Sequence, residues 1–207
     1  MKKISPFISL LLTLLTVTAD DSWQIISNGD AAARVSREGA VHLETRDEKS
    51  FIRVSRTLRV TDEAQEIRVQ VDWRPSHNGK AANIFTLSGS DANRAIVRIR
   101  TVPGRNRLSY STGGDQTAII PSGYRVGHWN RIIVRVTRGI YHLAVFDRGP
   151  DNLRDFRVVF DSQAELKTPP GLTNIEHPLR RFYANAFPNQ GRHGYSFELA
   201  NFRYSLR

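Results

Sequence analysis

The sequence predicts an all-β fold, an antiparallel β-sandwich or jelly roll, on three observations. Apolar and polar residues alternate with a period of two over most of the chain after residue 20. Turn-forming pairs separate the alternating runs at near-regular spacing. No stretch after the first twenty residues shows a long apolar repeat of helical period. The chain has 207 residues, enough for one domain with a sizeable core. Cysteine is absent, which excludes disulfides and thiolate metal sites.

The first element is not part of the sandwich. Met1-Lys2-Lys3 is a short basic start, and Ile4 to Val17 is almost wholly apolar. Small residues at Val17-Thr18-Ala19 precede Asp20-Asp21. This is the layout of a secretory signal peptide over residues 1–19, too short to be a comfortable permanent span. The expected product is a secreted or periplasmic protein, one β-sandwich domain over residues 20–207, with no integral membrane span once the leader is removed.

The strands follow in order. Val41 and Leu43 alternate with His42, Glu44 and Arg46. Ile67, Val69, Val71 and Trp73 alternate with Arg68, Gln70, Asp72 and Arg74. Ala95, Val97 and Ile99 alternate with Arg98 and Arg100. Ile132, Val134 and Val136 form another run, as do Tyr141, Leu143 and Val145, and Phe156, Val158 and Phe160. At the end come Phe197 and Leu199, then Phe202, Tyr204 and Leu206. The phase slips between these two sets, which predicts a bulge near Ala200-Asn201. Ser162 to Leu166 is long enough for one helical turn, and Lys167 to Pro178 reads as a long loop of the kind that borders binding sites.

Arg181, Tyr183 and Asn185 share one face of a predicted strand; Phe182, Ala184 and Ala186 share the other. The second set suits the space between two sheets. The first is a ladder of a fixed cation, an aromatic hydroxyl and an amide. Amides suit sugar hydroxyls, and guanidinium grips carboxylates in bidentate fashion. Gln190 and His193 follow closely and complete the candidate ligand-binding set. Arginine supplies 25 of the 30 basic residues, in a chain of net charge +10. A cationic surface of this kind suits a polyanion. Outside a cell that favours acidic polysaccharide, and no nucleic-acid motif is present.

Gly127-His128-Trp129-Asn130-Arg131-Ile132-Ile133-Val134, with the strand after it and the closing strand, resembles the concanavalin A-like lectin/glucanase superfamily, laminin-G-like domains in particular. That resemblance implies a jelly roll. Within the superfamily, Arg181-Phe182-Tyr183-Ala184-Asn185-Ala186-Phe187-Pro188-Asn189-Gln190 resembles the Y-F-K-A-G-x-Y-N-Q strand of the alginate lyase family. The family's catalytic tyrosine falls on Phe187, which has no hydroxyl. Its glutamine–histidine strand falls on Asn83-Ile84-Phe85-Thr86-Leu87, and its R-x-E-x-R strand has no match nearer than His42, Glu44 and Arg46. The resemblance therefore implies a shared scaffold without that family's full chemistry.

The leading expectation is a carbohydrate-binding sandwich, its ligand an acidic polysaccharide. The first alternative is a polysaccharide lyase, with His177 or His193 as base, Arg181 neutralising the uronate carboxylate and Tyr183 as acid. The second is a structural envelope protein. No carboxylate pair suits a glycosidase: Glu44 and Glu48 have Arg46 between them, and Glu63 and Glu66 read as turn residues. The six histidines show no metal-ligand spacing, and no cofactor is expected. Asp72, Asp91, Asp115, Asp147, Asp151 and Asp161 offer oxygen only for calcium.

Overall fold

A computed structural model describes residues 23–46, 50–61, 64–76, 82–89, 95–111, 117–137, 140–151, 157–161, 166–167, 181–186 and 195–207. The expected leader over residues 1–19, residues 168–178 of the expected loop with His177 among them, Phe187, Gln190 and His193 lie outside them, while Lys167, expected to open that loop, pairs with Ile140 in a strand. Fifteen strands form two antiparallel sheets, and the described residues contain no helix. The architecture is the open jelly-roll sandwich that the alternation predicts.

The seven-stranded sheet contains β1 (Gln24–Asn28), β4 (Phe51–Thr57), β14 (Arg181–Ala186), β6 (Ala82–Ser88), β7 (Ala95–Thr101), β8 (Arg107–Ser111) and β9 (Thr117–Gly123), in that order. The eight-stranded sheet runs β12 (Arg157–Asp161), β11 (Ile140–Asp147), β10 (Asn130–Thr137), β5 (Glu66–Pro75), β15 (Tyr195–Leu206), β3 (Val41–Thr45) and β2 (Ala31–Val35), with β13 (Leu166–Lys167) also paired to β11. The core lies between the sheets. Trp73, Val71 and Val69 enter it from β5, and Phe85, Phe182 and Ile52 from the opposite sheet, each wholly buried. Phe182 packs on Phe85 at 5.2 Å and on Phe202 at 4.8 Å between ring centroids.

The predicted bulge in β15 is present. Its pairing with β5 shifts register between Ala200 and Arg203, and Asn201 takes a left-handed φ of 52°. Phe197 and Leu199 point inward before the bulge, and Phe202, Tyr204 and Leu206 pack on the core after it. Gly127, at φ 78°, turns the chain into Trp129 and the start of β10. A residue with a Cβ would strain this left-handed turn.

Three further expectations are corrected, and the absence of a match for the R-x-E-x-R strand is given its place in the fold. Leu166 belongs to a strand rather than a helical turn, because its backbone pairs with Tyr141. Val158 is exposed, since the register between β11 and β12 shifts there and places it opposite Phe146. Glu66 opens β5 instead of sitting in a turn. The stripe His42, Glu44 and Arg46 belongs to the β3 side of the eight-stranded sheet, while β14 lies in the other sheet.

Candidate functional site

β14 sits between β4 and β6, so its outward residues extend into rows across the seven-stranded sheet. The register places Ser55, Tyr183, Thr86, Arg98 and Ser111 in one row. The adjacent row is Arg53, Asn185, Asn83, Arg100 and Ser109. Thr57, Arg181 and Ser88 form the beginning of a third. Five strands at the usual spacing give each long row a reach of roughly 20 Å.

Local sequence explains the rows. In β4, Arg53 and Ser55 alternate with Ile52 and Val54, which are core residues. In β7, Arg98 and Arg100 alternate with Val97 and Ile99. In β6 the alternation breaks. Ile84 and Phe85 both enter the core, because a bulge there sets two residues of β6 against one of β14. Phe85 therefore replaces a polar neighbour of Asn83 with core packing, and the outward face resumes at Thr86.

The face is rich in groups that hold anions and hydroxyls. The Arg53 guanidinium lies 4.9 Å from the centroid of the Tyr183 ring and 5.4 Å from that of Phe51. Asn83 Nδ2 donates to Asn185 Oδ1 at 3.1 Å. This leaves Asn83 Oδ1 as an acceptor and Asn185 Nδ2 as a donor without a hydrogen-bond partner. Thr86 Oγ1, Ser88 Oγ and the Nε atoms of Arg53 and Arg98 are also buried without one. Asn185, Thr86 and Ser88 are wholly buried. Buried polar atoms in folded proteins are nearly always paired, so six on one face need an explanation. Burial and the neighbouring Arg98 cation push the Arg100 guanidinium below its ordinary value. Among the described residues the three rows contain no histidine and no carboxylate.

Of the sequence-predicted ladder, Arg181 is exposed, whereas Tyr183 and Asn185 are buried beside Arg53 and Asn83. The shared face is as expected, but it is less open. Gln190, His177 and His193 cannot be placed, being outside the described residues. The sequence reading missed Arg53, Ser55, Asn83 and Thr86 as partners of this strand. The alternation Ile52–Arg53–Val54–Ser55 was the available signal.

The arginines do not all share this face. Arg56 turns inward and lies 4.4 Å from the Trp23 ring centroid and 5.2 Å from that of Phe202. Arg68, Arg74 and Arg135 belong to the other sheet. Three of the calcium candidates are engaged elsewhere, and Asp151 is exposed at the turn after β11. Asp72 accepts from Arg131 Nε at 2.7 Å and Nη2 at 2.9 Å, from Arg148 Nη1 at 3.2 Å and from Asn201 Nδ2 at 2.8 Å. Asp147 accepts from the Gly149 N–H at 2.9 Å and lies 2.9 Å from His128 Nδ1. Asp161 lies 2.8 Å from His142 Nε2. These three carboxylates hold cationic or donor side chains of the protein itself. Asp91 and Asp115 lie outside the described residues.

The fold is shared with several solved structures. A structure of botulinum neurotoxin type C, concerned with its interaction with two ganglioside molecules, matches at TM-score 0.53 and 11% identity over 89% of this chain and 43% of that one. An alginate lyase of polysaccharide lyase family 7 matches at TM-score 0.51 and 13% identity, over 85% of this chain and 82% of that one. A GH131 β-glucanase catalytic domain from Podospora anserina matches at TM-score 0.51 and 8% identity, over 80% of this chain and 71% of that one. This chain thus spans under half the length of the neurotoxin chain it matches. No family model matches the sequence, and no curated protein matches it. At these identities the likeness shows the jelly-roll sandwich fold and nothing finer.

Proposed function

We propose that this chain is an exported carbohydrate-binding β-sandwich whose seven-stranded sheet holds an acidic polysaccharide on its outward face. The observation that carries the reading is the set of buried, unpaired polar atoms beside Arg53 and Arg98. Those atoms are closed to solvent here, so a glycan reaches them when the side chains of the face part, and it then supplies hydroxyls for Asn83, Asn185, Thr86 and Ser88 and carboxylates for the guanidinium groups. The shared fold with glycan-active and ganglioside-interacting proteins agrees with it. The described part of the face offers cations, amides and hydroxyls, a set suited to holding an anion.

The test uses purified Asp20–Arg207 with sodium polygalacturonate, alginate and neutral dextran. Co-sedimentation with an acidic polymer and not with dextran is expected, with no ultraviolet absorbance from unsaturated uronate. Rising absorbance would replace the binding reading with a lyase, and Tyr183→Phe would then be the next variant. Neither signal on either acidic polymer would end both carbohydrate readings.

A further inference from the structure

We infer that the outward face of the eight-stranded sheet carries a second polyanion site, formed by Arg68, Arg135 and Arg203, and that acidic polysaccharide binds there too. The inference rests on the reading of the first face as a glycan site, and the two can fail separately.

Arg68 of β5 stands directly opposite Arg135 of β10. On the other flank of β5, Arg203 of β15 stands opposite Gln70, diagonal to Arg68. All three are exposed. Opposed residues on paired strands have Cβ atoms about 5 Å apart, and diagonal neighbours about 7–8 Å. Like charges placed opposite one another destabilise a sheet, so this triangle is costly unless an anion covers it. None of the three is in an ion pair among the described residues. The charged groups around the triangle leave little to neutralise it. His142, opposite Arg135, is held by Asp161. Asp72 is taken by Arg131 and Arg148. Glu66 begins the strand two residues before Arg68 and is the bordering carboxylate outside those pairs.

The occupant follows from the surface chemistry. None of the exposed large apolar side chains lies on β5, β10 or β15, so this patch has nothing to insert into a bilayer. A flat, polar, cationic strip fits an extended polyanion. Its neighbour on the far side of the sandwich is the first face, about one sheet-to-sheet spacing away. One rigid domain with polymer sites on opposite sides is a cross-linker, and linked sites gain avidity.

Titrating sodium polygalacturonate into the protein while following light scattering tests this. The wild-type protein is expected to give a scattering maximum that collapses in excess polymer. The Arg68→Ser/Arg135→Ser double variant should still co-sediment through the first face, lose the maximum, and bind immobilised polymer at least about tenfold more weakly. Its melting temperature should equal or exceed that of the wild type, because a repulsive pair has gone. A maximum unchanged in the double variant overturns the second site. If the double variant loses all binding while Arg98→Gln binds normally, the second site stands and the first-face reading falls. Binding of duplex DNA without binding of polygalacturonate overturns the polysaccharide assignment.

Discussion

The outward faces of the two sheets handle polar groups in opposite ways. On the eight-stranded sheet the buried ones beside β5 satisfy one another, and arginines exposed to water, such as Arg68, Arg135 and Arg203, stand without an ion pair among the described residues. Asp72 takes four hydrogen bonds from three side chains, and Glu198 holds Arg74 and lies beside His42. On the seven-stranded sheet, Asn83, Asn185, Thr86 and Ser88 keep buried atoms unpaired beside arginines. The first arrangement pairs its buried carboxylate from within, while the second leaves buried polar atoms without a hydrogen-bond partner. Satisfaction, more than composition, separates the two, since both faces are rich in arginine.

The largest expected difference comes from Asp72. Asp72→Ala leaves Arg131 and Arg148 near a site with no counter-charge, and should cost about 3–5 kcal/mol of unfolding free energy. Urea denaturation checks this, and a loss near zero would break the contrast. A pair of isosteric changes, one at a paired hydroxyl on the inward side of β3 and one at an unpaired hydroxyl of the seven-stranded sheet, sharpens the contrast in satisfaction. Thr45 Oγ1 donates to the Tyr195 carbonyl at 3.3 Å and accepts its N–H at 3.2 Å, so Thr45→Val should destabilise by about 1–2 kcal/mol. Thr86→Val deletes an unpaired hydroxyl and should be neutral or stabilising by up to about 1 kcal/mol, while weakening polygalacturonate binding. Equal losses of stability at both positions would show that Thr86 is paired like Thr45.

The smallest effect is in acid. Burial alone would raise the Asp147 carboxyl, but the Gly149 N–H, His128 and the Arg125 cation outweigh it and hold it below its ordinary value. A carboxyl lowered by folding adds stability above its unfolded pKa, near pH 4. That increment disappears as pH falls through the folded value. His128→Gln should therefore flatten the decline of melting temperature below about pH 4. An acid limb as steep as that of the wild type would mean His128 contributes nothing to holding the carboxylate.

Much of the sandwich was legible because its inward residues alternate strictly, as in β3, β5, β7 and β10. The bulge of β15 was legible too, since a change of phase is written in the residues. β4 was not. Its inward set runs Ile52, Val54, Arg56, and a guanidinium at the third position disguises the repeat until Trp23 and Phe202 are seen beneath it. β6 was obscured by Ile84-Phe85, where two successive residues enter the core. β1 and β2 are edge strands of mixed or small residues whose burial does not alternate. Half the site was therefore hidden. β14 announced its own ladder, but the two strands that flank it, β4 and β6, are those whose period is interrupted.

Asn201 makes the final strand serve two phases. Its left-handed turn is fastened by the hydrogen bond to Asp72, and beyond it the strand's two sides exchange roles. Asn201 is the extra residue of the bulge: were the full-length strand to pair without it bulging out, Phe202 and Tyr204 would face water and Arg203 the core. The charge on one surface and the aromatic lining of the interior thus depend on one left-handed backbone turn and the side chain that ties it to Asp72.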